Sequence, residues 1–195
     1  MKIETSISSI LKILIIVILV ILVLHYKKYK EFTEEYKIEQ QELDYVKPYE
    51  INNNLNPLVI TFIEEISLKE NAMKYKLYTP LSLKQVEEKV DDSWYEKNRY
   101  IEQKHDTFLI RPEKECKISL INPKYKNLFK KMETKDNGNV YEGIDDNFKE
   151  VKEIDIIIRD YNILYIPRHW LFHFEDKNNC TIFYSSSLLS KVYQL

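Results

Sequence analysis

Apolar positions are spread very unevenly along the chain. Ile13 to Leu24 is an unbroken run of twelve Ile, Leu and Val residues. Extended to Ile7–Tyr26 it becomes twenty residues carrying one charge, Lys12. About twenty helical residues, at 1.5 Å each, cover the roughly 30 Å hydrocarbon core of a bilayer. A helix apolar on every side cannot be the surface helix of a soluble domain. The pattern therefore predicts a membrane anchor over 1–26 that meets the lipid bilayer through Ile7–Tyr26. His25-Tyr26-Lys27-Lys28 follows the run and offers no small-residue cleavage site, which argues against a removed signal peptide. Lys27, Lys28 and Lys30 favour a cytosolic C-terminal side.

From Lys27 the pattern turns polar. Residues 27–54 read as a stalk. Within it, Glu31 to Val46 is rich in helix formers, with Phe32, Tyr36, Leu43 and Val46 as an imperfect stripe, so part of the stalk is expected to be helical. Pro48 and Asn52-Asn53-Asn54 end it. Residues 55–195 alternate short β-branched or aromatic runs with breakers. Strands are predicted over Pro57–Phe62, Arg99–Gln103, Thr107–Arg111, Lys117–Ile121, Ile154–Arg159, Ile163–Ile166, Leu171–Phe174 and Thr181–Tyr184. Thr79-Pro80, with Ser82 and Gln85 at capping-box spacing, predicts a helix over Leu81–Val90. Gly138 and Gly143 are the chain's two glycines, and the stretch around them, Asp136–Asp146, reads as a loop. The expected architecture is mainly β with a few helices, a sandwich or barrel behind one transmembrane helix.

Composition narrows the chemistry. A formal net charge of −2 gives no positive field for nucleic acid, and none is expected as a partner. No glycine-rich phosphate loop is present. Cys116 and Cys180 have no zinc spacing and read as reduced, buried thiols. Ser185-Ser186-Ser187 lacks a glycine elbow. Glu64-Glu65 and Asp91-Asp92 read as solvated acidic pairs, and His169 as an exposed turn residue.

The segment Ile163-Leu164-Tyr165-Ile166-Pro167-Arg168-His169-Trp170 resembles the Leu-Tyr-Ile-Pro-x-x-Trp motif of the cupin-like JmjC-type dioxygenases, the family of the asparaginyl hydroxylase that modifies hypoxia-inducible factor. Phe108–Pro123 and Pro57–Ile60 are similar to other stretches of that family and stand in the same order. The resemblance spans about residues 56–187. It implies a double-stranded β-helix (a jelly roll), with Pro167 ending a strand and Trp170 packing against the sheet. The family binds Fe(II) through a His-x-Asp/Glu pair and a distant His, and also takes 2-oxoglutarate. Carried over residue by residue, the pair falls at Ile101 and Gln103, the distant ligand at Phe172, and the 2-oxoglutarate lysine at Cys116. None is a ligand of the expected kind. The resemblance thus implies a membrane-anchored, catalytically inactive module, a pseudoenzyme without cofactor, whose role is structural or to bind a protein partner. Glycine-poor versions of such domains are similar to proteins of large DNA viruses, which implies a viral setting. The alternative is an active Fe(II)/2-oxoglutarate-dependent protein hydroxylase with a shifted triad drawn from His105, Asp106 and His173, and with Lys114 or Lys117 replacing the missing lysine. Adjacent His105 and Asp106 point to opposite faces of a regular strand, and His173 alternates with Phe172, so this triad requires a bulge.

Overall fold

The computed structural model describes residues 2–35, 37–42, 46, 51–61, 67–78, 82–91, 94–95, 99–135, 138–143, 150–175 and 179–192. The chain divides into two compact units, Met1–Glu31 and Phe32–Leu195. Phe62, Glu64-Glu65, Thr79-Pro80 and Asp92 lie outside the described residues.

The first unit is one helix, α1 (Lys2–Lys30). Its 19 residues from Ile10 to Lys28 are long and apolar enough to cross a membrane. Every Ile, Leu and Val from Ile13 to Val20 stands about half exposed.

The second unit holds two six-stranded sheets. Its strands are β1 (Glu39–Glu42), β2 (Leu58–Thr61), β3 (Ser82–Lys89), β4 (Arg99–Glu102), β5 (Thr107–Pro112) and β6 (Glu115–Ile121). They continue with β7 (Phe129–Lys135), β8 (Gly138–Gly143), β9 (Glu153–Arg159), β10 (Asn162–Tyr165), β11 (Leu171–Phe174) and β12 (Cys180–Ser187). One sheet runs β1-β2-β10-β5-β12-β3, the other β7-β8-β4-β11-β6-β9. Every described pairing is antiparallel except β1 with β2.

The strand period of two distributes the apolar residues between separate cores. In β5, Phe108 and Ile110 point between the sheets while Leu109 points outward. Leu164 of β10 and Ile182 and Tyr184 of β12 join the inner core, and Ile163, Tyr165 and Phe183 the outer one. Both faces are covered, so these strands read as continuous apolar runs. The outer cover is a short helix, α2 (Leu68–Lys74), which contributes Leu68 and Ala72. Ser67 caps it, and Glu70 returns a hydrogen bond to the Ser67 amide. The second sheet supplies Ile101, Ile118, Leu120, Ile156, Ile158, Phe172 and Phe174 to the inner core. Its other face carries a smaller cluster of Tyr100, Ile121, Phe129, Tyr141 and Leu171.

Four expectations need correction. The helix expected over Leu81–Val90 is strand β3. Val86 and Val90 are four residues apart, a spacing that keeps both on one side in either a helix or a strand, and both pack on the inner core. The β12 ladder, paired with β3 from Thr181 to Ser187, decides for the strand. The helix expected within Glu31–Val46 is also not seen where the chain is described: residues 31–35 are irregular and Glu39–Glu42 is a strand, while Lys27–Lys30 continue α1. Glu39 donates its amide to the Pro57 carbonyl, and its carboxylate accepts from the Asn54 and Asn56 amides. These bonds pull the segment into the sheet. The glycines do not mark one open loop; Gly138 begins β8 and Gly143 ends it. Gly138 has φ +153°, and a Cβ there would collide with the carbonyl oxygen of Glu102 on β4. His169, expected in solvent, is half-buried with φ 72°.

Candidate functional site

The turn from Ile166 to Trp170 gathers the chemistry-bearing residues of this unit. Pro167 follows β10, and the Ile166 amide still bonds across to the Phe108 carbonyl at 3.1 Å. Trp170 is fully buried in the inner core, and its indole N–H donates to the Leu55 carbonyl at 3.0 Å. Gln103 holds the turn from the β4 side. Its side-chain amide donates to the Ile166 carbonyl at 2.9 Å, and its backbone exchanges bonds with Trp170 and His169. Its side-chain oxygen accepts from the His105 amide.

Ile101 and Phe172 face each other in the β4–β11 register, and both point into the inner core. Phe172 packs 5.2 Å from Phe108 and stacks 6.2 Å from Trp94, centroid to centroid. Phe174 closes on it edge-on at 5.8 Å. Aromatic rings thus fill the space between the sheets at this level. Cys116 is buried in the same core. Lys114 is exposed, and Lys117 sits on the other face of β6. Tested against an Fe(II)/2-oxoglutarate centre, this set does not fit. Ile101 and Phe172 have no donor atom, and the Gln103 amide is committed to the turn.

His105 and Asp106 follow β4 in a bend. His105 is buried, its ring 4.2 Å from Tyr184 and its Nδ1 2.9 Å from Ser186 Oγ. Asp106 forms an ion pair with Arg168 and accepts from the Ser187 amide and from Ser190 Oγ at 2.9 Å. These bonds tie the last helix, α3 (Leu188–Val192), to the domain. His173 is half-buried elsewhere. Its Nδ1 donates to the Arg99 carbonyl at 2.9 Å, and its ring lies 5.7 Å from Tyr100. His105, Asp106 and His173 do not bring ligand atoms together. Among the described residues, the group of three that does is Glu153, Asp155 and Glu175, all exposed. Lys117 already lies 2.9 Å from Asp155 and 3.6 Å from Glu175, and Ser119 Oγ bridges the two carboxylates.

The strongest electrostatic feature is one the residue pattern does not announce. Glu102, on the opposite face of β4 from Ile101, is 2% exposed. One carboxylate oxygen meets Lys126 Nζ at 2.5 Å and His169 Nδ1 at 3.3 Å. The other accepts from the Asn139 amide at 2.7 Å and the Tyr141 hydroxyl at 3.1 Å. Burial pushes the Glu102 carboxyl up, but hydrogen bonds from His169 and Lys126 and the Lys126 charge outweigh it and hold it down to about 2. Lys126 comes from the 3-10 turn Pro123–Leu128, which Asn122 caps. Glu102 therefore locks that turn, β8 and the His169 turn to one point. It has four hydrogen-bonding partners, so it is suited to holding structure rather than to proton transfer.

Comparison with models of known protein families finds no match to this chain, and comparison with curated proteins finds none.

Proposed function

We propose that this chain is a single-pass membrane protein whose second unit is a cupin-like, JmjC-type double-stranded β-helix without metal chemistry, serving as a structural or protein-binding module. The anchor reading is supported by α1, which is long and apolar enough to span over Ile10–Lys28 and apolar on all sides from Ile13 to Leu24. The β-helix reading is supported by strand order. From β3 to β6 the chain alternates between the sheets, and from β9 to β12 it alternates again. The β3-β12-β5-β10 and β4-β11-β6-β9 orders support an eight-strand jelly-roll reading, in which β7-β8 is an inserted hairpin and β1-β2 an added edge.

One observation carries the functional reading. The residues standing where the family places its ligands are Ile101 and Phe172, 5% and 0% exposed and packed among Trp94, Phe108 and Phe174. A metal centre needs donor atoms and an open coordination position. Here the same volume is a packed aromatic core, and its contribution is to stability. The test is thermal unfolding of the full chain in detergent with and without manganese(II) and 2-oxoglutarate. A ligand that binds only the native state raises the midpoint by mass action. No shift is expected at millimolar metal and 2-oxoglutarate. A reproducible rise that needs both would overturn the reading in favour of a dioxygenase.

A further inference from the structure

Among the described residues, the outer strands of the two sheets are β1 and β3 in one and β7 and β9 in the other. An outer strand offers unpaired N–H and C=O groups to any further strand, and proteins blunt such edges with short length, charges or bulges. All but β9 are blunted here. β1 is four residues long and reads Glu-Gln-Gln-Glu. On β3, Lys84 and Glu88 share the inward side with Val86, which stands opposite Tyr184 of β12. β7 carries Lys130, Lys131 and Lys135, and its register on β8 shifts between Lys131 and Glu133.

β9 has none of these devices. Its seven residues, Glu-Ile-Asp-Ile-Ile-Ile-Arg, pair with β6 without a register shift. Ile154, Ile156 and Ile158 point into the inner core, where Ile154 is only partly covered. Glu153, Asp155, Ile157 and Arg159 point to the other face, and Ile157 is 59% exposed. Just past the strand, the Asp160 amide donates to the Lys114 carbonyl at 2.7 Å. Antiparallel pairs alternate, so Ile158, Ile156 and Ile154 turn their backbone groups to β6, while Arg159, Ile157, Asp155 and Glu153 turn theirs to the open edge. Asn162 Oδ1 takes the Arg159 amide at 3.3 Å. Among the described residues, Glu153, Asp155 and Ile157 have no backbone partner on that edge. The segment Thr33–Glu35 is held elsewhere, by Asn122 beyond the end of β6.

This edge is complementary to itself. Two copies of β9, antiparallel and centred on Ile156, set Glu153 of each against Arg159 of the other. Ile154 meets Ile158, Ile156 meets Ile156, and the two Ile157 side chains become diagonal neighbours on the outer face. One residue past each end, Lys152 meets Asp160. The same register places open backbone groups opposite open backbone groups. Sliding by one residue sets open groups against occupied ones and mixes the two faces. Sliding by two opposes Asp155 to Asp155 or Ile157 to Ile157 and shortens the ladder.

Charge points the same way. Glu153, Asp155 and Glu175 hold carboxylate oxygens within 4.8 Å of one another. Lys117 serves Asp155 and Glu175, whereas Glu153 accepts from the uncharged Tyr100 hydroxyl at 2.8 Å. A second copy would bring a guanidinium to Glu153. Arg159 lies 3.6 Å from Glu115 and 3.3 Å from the Tyr161 hydroxyl within its own chain, and its five N–H donors suffice for another carboxylate.

We propose that β9 is a homodimer edge, through which two copies of this chain pair antiparallel about a two-fold axis at Ile156 and join their second sheets. The proposal rests on the protein-binding part of the function given above and names its partner. Iron content neither makes nor removes this edge, so the metal-free part stands or falls separately.

The experiment uses full chains in detergent micelles. Asp155→Cys and Ile157→Cys chains are prepared singly and co-expressed, and disulfide-linked dimers are measured after mild oxidation. Cys116 and Cys180 are buried, and wild type gives the background. Directly opposed residues stand about 5.5 Å apart at Cα, within disulfide reach, and diagonal ones stand farther apart. Co-expressed chains should link severalfold more than either variant alone. Adding Glu153→Arg or Arg159→Glu to both chains should cut the linkage severalfold, and E153R/R159E together should restore it. Glu153 and Arg159 lie at opposite ends of β9, so a loss of stability within one chain would not be restored by the swap. Trp94 and Trp170 emission verifies the fold of each variant. Linkage at background, equal linkage in a single variant, or no recovery in the swap would overturn the proposal and leave the edge to a strand of another protein. Dimers seen by light scattering that do not link would place the contact elsewhere and overturn it too.

Discussion

Replacing Glu102 by glutamine removes one buried negative charge while nearly keeping the shape of the side chain. In the wild type, that charge is met by Lys126 and His169 on one oxygen and by Asn139 and Tyr141 on the other. The carboxyl is held down to about 2 from an ordinary 4.5. At 1.36 kcal/mol per pH unit, that difference is worth about 3 kcal/mol of native stability. The sign follows from the depressed value. The contribution is complete above pH 4.5 and disappears as pH falls toward 2, because the unfolded chain takes up the proton first. Glutamine leaves the Lys126 ammonium without its counter-charge, but that side chain is 34% exposed and can turn toward water. We expect Glu102→Gln to cost about 2–3 kcal/mol at pH 7. The assay is urea unfolding of the full chain in detergent micelles, followed by the emission of Trp94 and Trp170, both buried. Repeated at decreasing pH, it should show the wild type losing its advantage over the variant below pH 4.5. A variant within about 0.5 kcal/mol of wild type at pH 7 would refute the assignment of Glu102 as the lock of this face. So would equal acid sensitivity of the two proteins.

Trp170→Ala should cost about 3–5 kcal/mol in the same assay, since it opens a large cavity and leaves the Leu55 carbonyl without its indole donor. A loss below 1 kcal/mol would place Trp170 outside the core. Ser67→Ala removes one half of a capping box and should cost about 1 kcal/mol. Gly138→Ala should destabilise by about 1–3 kcal/mol because its Cβ meets the Glu102 carbonyl; near-neutral behaviour in urea would contradict the close approach of β8 to β4.

Some of this architecture is legible from residues alone. α1 follows from its all-round apolarity. β5, β10 and β12 follow from short apolar runs buried on both faces. Pro167 follows β10 and Trp170 is fully buried. Other parts could be read but are ambiguous. Ser67-Leu68-Lys69-Glu70 is a capping box, yet its helix is only seven residues long and lacks an apolar stripe. Val86 and Val90 satisfy both helical and strand spacing. β1 is Glu-Gln-Gln-Glu, which has no strand pattern, and it becomes a strand only because Asn54, Asn56 and Pro57 are positioned to hold Glu39. The Glu102 cluster was not legible. A glutamate between Ile101 and Gln103 reads as an outward-facing charge. Its burial comes from Lys126, Asn139, Tyr141 and His169, 24 to 67 residues away, and from the turn that covers it. The only local signal was an unusual concentration of polar residues, Glu102 to Asp106, at the end of a strand.

The account depends on what stands where a metal would need donors. Its most direct test is to express the full chain under iron-replete, anaerobic conditions and measure iron per chain. Decarboxylation of 2-oxoglutarate to succinate is then followed on admitting oxygen. The account predicts iron at background and succinate no faster than in the buffer control. Iron at one equivalent per chain, with succinate formed in proportion to protein, would contradict it.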